Sequence, residues 1–333
     1  MIEDPFDALS AAQREIVRAA LVAALGAAPI GAITPITGGA STASTFRVEA
    51  GGRRYLLRVE GAPSPLRNPH QYISMRIAAE AGIAPDIRYI DEAARVAVID
   101  FIDRQPLKAY PGGSRALAQA VGELLSRVQA TPVFPCFVNY PDIVARLFAH
   151  VRRTGLFAAG LLDAHVERLE RLREAYDAGS TSLVSSHNDP TPSNILFDGE
   201  RLWLIDWESA YRNDPLVDVA IVLDSLAPSP ELEEVLLRAW FGRAPGEALR
   251  ARLALIRALS RLYYAGVLLS ASAAASRAAP DADLSASGLQ EFQLAIHEGR
   301  LKPGAPETKH ILGKMFLAAF LSGVAPPGFD AAV

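Results

Sequence analysis

The residues best suited to chemistry crowd into one short run, Ser185-Ser-His187-Asn-Asp189-Pro-Thr-Pro-Ser-Asn194-Ile-Leu-Phe-Asp-Gly-Glu-Arg-Leu-Trp-Leu-Ile-Asp206-Trp-Glu208. Pro190 and Pro192 stiffen the stretch that carries His187, Asp189 and Asn194, so it reads as a rigid loop rather than a strand. Downstream, Ile195–Phe197 and Leu202–Ile205 are apolar around Asp198-Gly199, a hairpin signal. Folding that hairpin brings Asn194, at the start of one strand, beside Asp206, at the end of the other. A carboxylate and a carboxamide oxygen there make a hard-oxygen pair suited to Mg²⁺, which takes one or two protein oxygens and fills its shell with water and phosphate. Asp189 is then placed to take a proton from a hydroxyl that attacks a phosphate. A metal on the phosphates and an oriented nucleophile are what phosphoryl transfer requires.

His-x-Asp-x-x-x-x-Asn followed by an apolar hairpin and Asp is the catalytic-loop and metal-loop pattern of kinases. The form here, with Ile205-Asp206-Trp207-Glu208 and then Asn213-Asp214-Pro215-Leu216-Val217-Asp218, resembles the choline/ethanolamine kinase and aminoglycoside phosphotransferase superfamily. The resemblance is tight over 185–220, looser over 33–102, and fades beyond about residue 270. It implies an α+β, two-lobed protein-kinase-like fold, with a small β-rich lobe and a larger helical one. It also implies ATP and Mg²⁺ as cofactors, Asp189 and His187 in the catalytic loop, and Asn194 and Asp206 on the metal. In that reading Asp189 is the base, while His187 and Asp218 brace the loop. Between Asp206 and the helix near Leu216 there is no room for an activation segment and no Ala-Pro-Glu, which argues against a protein substrate.

The nucleotide side is less regular. Thr37-Gly38-Gly39-Ala40-Ser41-Thr42 lies between two predicted strands, and its amides and the Ser41 and Thr42 hydroxyls can hold phosphates. The resemblance places Arg58, in Tyr55-Leu-Leu-Arg58-Val, where protein kinases carry a phosphate-binding lysine. Arginine offers a planar, bidentate fork with a different reach. The resemblance also implies a glutamate on the next helix to pair with it; Gln71 and Tyr72 stand there, and Glu80 comes too late. Arg58 is therefore expected to lack its usual ion pair. Asp100, Phe101 and Ile102, ending the strand 96–102, are the expected adenine-binding backbone between the lobes.

The elements that must position these groups follow from pattern. Ser10 opens a helix whose apolar positions run from Ile16 to Leu25, stopped by Gly26. Strands are predicted over 33–37, 45–50 and 54–60, the last two joined by Gly51-Gly52. Asn68-Pro69 reads as a cap and first-turn proline of a helix over 69–81 with Tyr72, Ile73 and Ile77 inward. Strands at 86–90 and 95–102 complete a nucleotide-binding lobe over residues 1–103. A Pro- and Gly-containing connector, 104–113, leads into a helical catalytic and substrate lobe over 104–333. Its predicted helices are 114–130, 142–154, 163–177, 216–226, 230–241 and 247–276, followed by a helical tail.

Composition narrows the partners. The chain has 333 residues, half of them apolar, with net charge −4 and no charge runs. That is enough apolar material for a large core and no basic face for nucleic acid. Cys136 stands alone, so no internal disulfide or cysteine zinc site is expected. No secretory signal is read at Met-Ile-Glu-Asp-Pro, and no apolar stretch is read as a membrane span, so a cytoplasmic protein without a protein partner is expected. The expected acceptor is a small-molecule hydroxyl. Asn188 after His187, and Ile-Asp-Trp-Glu-Ser-Ala-Tyr, resemble the choline-kinase side of the superfamily more than the aminoglycoside side, and that resemblance implies a choline- or ethanolamine-like amino alcohol. A quaternary ammonium wants aromatic rings and a carboxylate; Trp240, Phe241, Tyr263, Tyr264 and Phe292 with Glu291 are the candidates, against plain core packing for each. An aminoglycoside is the alternative acceptor. A degenerate, nucleotide-binding pseudokinase is the alternative of another class. No Gly-x-Ser-x-Gly elbow supports a hydrolase.

Overall fold

A computed structural model describes residue 6 and residues 9–36, 43–61, 68–176, 182–275 and 279–324. They form two compact units: Met1–Phe137 with Val184–Arg212 and Ser225–Gly242, and Val138–Leu183 with Asn213–Asp224 and Arg243–Val333.

The first unit opens with helix α1 (Ala11–Leu25) and a five-stranded antiparallel sheet. The strands are β1 (Ile30–Pro35), β2 (Ser44–Ala50), β3 (Arg53–Val59), β4 (Ile87–Asp91) and β5 (Val96–Asp100), in the order β1-β2-β3-β5-β4. Gly51 and Gly52 have φ of 56° and 75°, the left-handed pair that a two-residue hairpin turn demands, and they join β2 to β3. Alternation buries Phe46, Val48, Tyr55, Leu57, Val96 and Val98 on one face, where Val17, Ala20 and Leu21 of α1 complete the core. Gln13 Oε1 takes the Ser10 amide at 3.1 Å, so Ser10 begins α1 as its sequence predicts.

Helix α2 (Gln71–Glu80) starts later than the sequence reading of 69–81. Asn68 is not its cap: Oδ1 accepts the His70 amide at 2.9 Å, an Asx turn, while Nδ2 reaches the carbonyl of Ala210 at 2.6 Å. The inward residues of α2 are Tyr72, Ser74 and Ala78. Ile73, expected inside, is exposed. The buried side must present Ser74, whose hydroxyl donates to the same Ala210 carbonyl at 2.8 Å.

Helix α3 (Gly113–Gln129) follows, and α7 (Pro230–Phe241) packs on it at Gly122. A Cβ at Gly122 would stand 2.5 Å from the carbonyl oxygen of Leu236, so glycine sets this close helix approach. The unit also holds the short strands β6 (Val184–Ser186), β7 (Ile195–Phe197) and β8 (Leu202–Leu204); β9 (Tyr211–Asn213) follows.

The second unit is helical, with α4 (Tyr140–Arg153), α5 (Asp163–Ala175), α6 (Leu216–Leu226, its first turns), α8 (Glu247–Ser272), α9 (Leu289–His297) and α10 (Pro306–Val324). Among the described residues α8 alone is long and apolar enough to cross a bilayer, and 56% of its most apolar window is buried inside the protein. It packs against α4 and α10 and carries buried Ile256, Leu259, Leu262 and Leu269, as a core helix does. The small antiparallel sheet and the larger helical part make the protein-kinase-like α+β architecture that the sequence implies.

Candidate active site

The hairpin of Ile195–Phe197 and Leu202–Leu204 folds as its sequence predicts. Ile195 pairs with Leu204 and Phe197 with Leu202, and the Ile205 amide donates to the Asn194 carbonyl at 3.0 Å. Asn194 and Asp206 therefore flank the same end of one ladder. The turn is longer than Asp198-Gly199 alone: Asp198 Oδ1 accepts the amides of Glu200 and Arg201, each at 2.8 Å, and Gly199 has φ 106°.

Upstream, the loop is tied internally. Asn194 Nδ2 donates to both the carbonyl and the carboxylate Oδ2 of Asp189, each at 2.9 Å. These bonds fix which end of the amide is nitrogen and direct Oδ1 of Asn194 away from Asp189. Asn188 sits in the left-handed region, φ 62°, where asparagine is tolerated better than most residues. Its Nδ2 lies within 3.3 Å of three carbonyls, those of Ser186, Ser209 and Tyr211. His187 is wholly buried; Nε2 meets the Ile205 carbonyl at 2.8 Å and its ring lies edge-on to Trp207 at 4.7 Å. This imidazole ties the loop before β7 to the chain that follows β8. Asp218, in the first turn of α6, is buried.

Asp206 also has positive φ, 66°, at the point where β8 gives way to a short 3₁₀ turn, Trp207–Ser209. The 3₁₀ turn and β9 fill the chain between Asp206 and α6. Oδ1 of Asp206 accepts from Arg58 at 2.7 Å. Neither Oδ2 of Asp206 nor Oδ1 of Asn194 accepts a hydrogen bond from the described residues. Two hard oxygens from side chains at one end of a hairpin fit a Mg²⁺ that keeps water and phosphate as its other ligands. Among the described residues no group of three or more His, Cys, Asp or Glu side chains is placed to hold a metal ion.

Arg58 has no partner from helix α2 among its described ion pairs, but acidic partners reach it from elsewhere. Nε donates to Glu60 at 2.6 Å, Nη1 to Asp206 at 2.7 Å and Nη2 to Glu208 at 2.5 Å. Burial alone pushes the guanidinium pKa down, but Asp206, Glu60 and Glu208 outweigh it and the net shift is upward. Glu60 and Glu208 escaped the sequence reading. The signal for Glu60 was its spacing, two residues beyond Arg58, which puts both on one face of a strand.

Of the remaining candidates, Gly38, Gly39, Ser41 and Thr42 lie outside the described residues. Asp100 and Phe101 give their amides to the carbonyls of Asp86 (2.8 Å) and Arg54 (3.2 Å), and the Asp100 carboxylate is gripped by Arg88 at 2.7 and 2.5 Å. Ile102 lies two residues past the end of β5. Among the aromatic candidates, Tyr263 packs on Tyr140 and Tyr264, and Tyr264 stacks on Phe316, in the second unit. Trp240 stacks on Phe241 in the first.

The chain belongs to the phosphotransferase enzyme family (APH), whose pattern matches residues 32–255. It is 22% identical over 208 residues to the protein LicA of Haemophilus influenzae, a match covering 61% of this chain and 61% of that one, so the likeness spans under two thirds of the relative. Among solved structures, a choline/ethanolamine kinase family protein from Mesorhizobium loti superposes with TM-score 0.63 at 22% identity, covering 96% of this chain and 97% of that chain. An aminoglycoside-3′-phosphotransferase of type VIII superposes with TM-score 0.51 at 24% identity, covering 69% of this chain and 93% of that chain. At these identities the structural likeness establishes the fold.

Proposed function

We propose that this phosphotransferase is an ATP- and magnesium-dependent kinase that phosphorylates the hydroxyl of a choline- or ethanolamine-like amino alcohol. The observation that carries the reading is the Asp189–Asn194 pair at the end of the hairpin where the chain leaves β8 for Asp206. In this reading nucleotide is held by residues 1–103 and the acceptor by parts of 104–333. Bound Mg²⁺-ATP supplies the phosphoryl group and the positive charge that offsets its oxygens.

The chain's own residues do the rest. Asp189 orients the acceptor hydroxyl and takes its proton at a carboxylate oxygen. Asn194 steadies that carboxylate through Nδ2 and turns Oδ1 to the metal. Asp206 is the second metal ligand, and Arg58 neutralises phosphate charge. His187 and Asp218 are braces. Gly38, Gly39, Ser41 and Thr42 remain the proposed phosphate-binding turn. The backbone of Asp100, Phe101 and Ile102 remains the proposed adenine-binding edge.

Support for the acceptor comes from the kinship with LicA and choline/ethanolamine kinases. Of the aromatic candidates, Tyr263 and Tyr264 are only partly buried, whereas Tyr140, on which Tyr263 packs, is core. The aminoglycoside-3′-phosphotransferase likeness keeps aminoglycosides as a second acceptor class. The test is magnesium-dependent ADP release across choline, ethanolamine, thiamine, sugars and aminoglycosides. Turnover with an amino alcohol is expected. Turnover confined to aminoglycosides would move the acceptor to that class, and magnesium-nucleotide binding without any turnover would leave a pseudokinase.

A further inference from the structure

Kinase-type sites commonly hold the phosphate-binding basic residue of β3 with a glutamate from the following helix. Helix α2 has Gln71 and Tyr72 near that place, and its buried side offers Ser74 and Ala78. We infer that Glu60, on the same chain segment as Arg58, is the positioning residue for that arginine. Resting on the kinase reading above, the inference deepens it.

Three observations carry it. Each of the three guanidinium nitrogens of Arg58 meets a different carboxylate, and Nε, the one nearest the strand, meets Glu60. The Glu60 side chain is 1% exposed, whereas those of Asp206 and Glu208 are 27% and 29% exposed. The Glu60 amide donates to the Arg95 carbonyl at 2.9 Å, so its backbone is fixed beside β5. A buried carboxylate on a fixed backbone is a permanent partner, while partly exposed ones can release Arg58 to an incoming anion.

Division of labour follows from the fork. Held at Nε by Glu60, the guanidinium keeps its plane and presents Nη1 and Nη2 in the direction of the metal loop. Among the described ion pairs one positive side chain meets three negative ones, a balance that a divalent cation on Asp206 would favour. Nη1 and Nη2 then face phosphate oxygens instead of carboxylates, without Arg58 having to be reoriented. A lysine at position 58 could not do this, because it has no Nε–H to anchor while its tip points elsewhere.

The experiment uses the full chain with Glu60→Gln, Glu60→Asp, Arg58→Gln and the Glu60→Gln/Arg58→Gln double variant. Urea unfolding without nucleotide gives a double-mutant cycle, and calorimetric titration with Mg²⁺ and a non-hydrolysable ATP analogue gives nucleotide affinity. The expected results are an unfolding penalty for Glu60→Gln at least tenfold smaller once Arg58 is gone, and analogue binding weakened at least tenfold by Glu60→Gln. Glu60→Asp should recover part of the affinity, and the acceptor KM should stay within about threefold in Glu60→Gln. An additive cycle, or a Glu60→Gln variant that is less stable yet binds the analogue as tightly as wild type, overturns the positioning role while leaving the kinase reading intact. A wild-type protein that binds no magnesium-nucleotide overturns both.

Discussion

Asn194 Nδ2 bonds the carboxylate and the backbone carbonyl of Asp189 at the same distance, 2.9 Å. The proposed base and a proposed metal ligand are thereby locked into one unit. A side chain that orients the base with one end of its amide and offers oxygen with the other couples acceptor activation to metal binding. Aspartate at position 194 would keep the oxygen and lose the donor.

Asp189→Asn is expected to abolish turnover while sparing nucleotide. The amide cannot accept a proton, and general-base catalysis contributes about 10²–10⁴-fold. Steady-state kinetics should show kcat reduced by about that factor. Calorimetry should show magnesium-nucleotide affinity within about threefold of wild type, since Asp189 is not assigned to the metal. Retained turnover would remove Asp189 as the base.

Asp206→Ala should act on binding first. It removes a metal oxygen and also the Nη1 partner of Arg58. Nucleotide affinity measured against magnesium concentration should fall about tenfold or more, an energy of about 1.4 kcal/mol or greater. An unchanged magnesium dependence would place the ion elsewhere.

Asn188 separates backbone strain from hydrogen bonding. Asn188→Gly relaxes φ 62° but loses the amide that serves the carbonyls of Ser186, Ser209 and Tyr211. Leaving such buried acceptors unserved costs about 1–3 kcal/mol. Asn188→Ala loses the same bonds and adds a left-handed penalty of about 1–2 kcal/mol. Thermal denaturation should therefore rank wild type above Gly and Gly above Ala; Ala as stable as Gly would show that strain at 188 is absent.

Gly122→Ala tests the α3–α7 contact. Its Cβ would meet the Leu236 carbonyl at 2.5 Å and Ala239 Cβ at 2.9 Å, backbone and stub atoms that cannot swing aside. Overpacking of this kind costs about 1–3 kcal/mol. Helix propensity works the other way, favouring alanine by about 0.8–1.0 kcal/mol. Sterics should win, and a lower urea midpoint is expected.

Low pH should weaken the second unit through Asp281. Burial pushes its carboxyl up, but the bonds from His310 (2.8 Å), from the Asp283 amide and from Lys314 (3.1 Å) outweigh this and bring it down to about 2, from 3.8. A carboxylate with a depressed folded value stabilises fully above its unfolded pKa, and that contribution fades as pH falls through the folded value. Urea midpoints should thus drop between about pH 4 and pH 2 more steeply in wild type than in Asp281→Asn. Parallel curves would contradict the assignment.

Local signals in the chain decided more than the outline. Gly51-Gly52 dictates a left-handed turn and Ser10 with Gln13 a helix start, because both depend on neighbours in sequence. The hairpin 195–204 was legible for the same reason, and with it the placement of Asn194 and Asp206 at one end of a ladder. Helix 230–241 was read to the residue, its serine cap and first-turn proline standing next to each other in the chain.

What the sequence by itself determined is the kind of chemistry and the elements that carry it, since hairpins, caps and apolar periodicity are short-range. Only the tertiary structure decided which partners those groups find. Asn68 looks like a helix cap until Ala210, distant in sequence, supplies the carbonyl that claims its amide. Arg58 looks unpartnered when one searches the next helix, yet it gathers Asp206 and Glu208 from the chain after β8 and Glu60 from beside itself. Buried charges must be paired wherever a partner can reach, and reach is a property of the folded chain rather than of spacing along it.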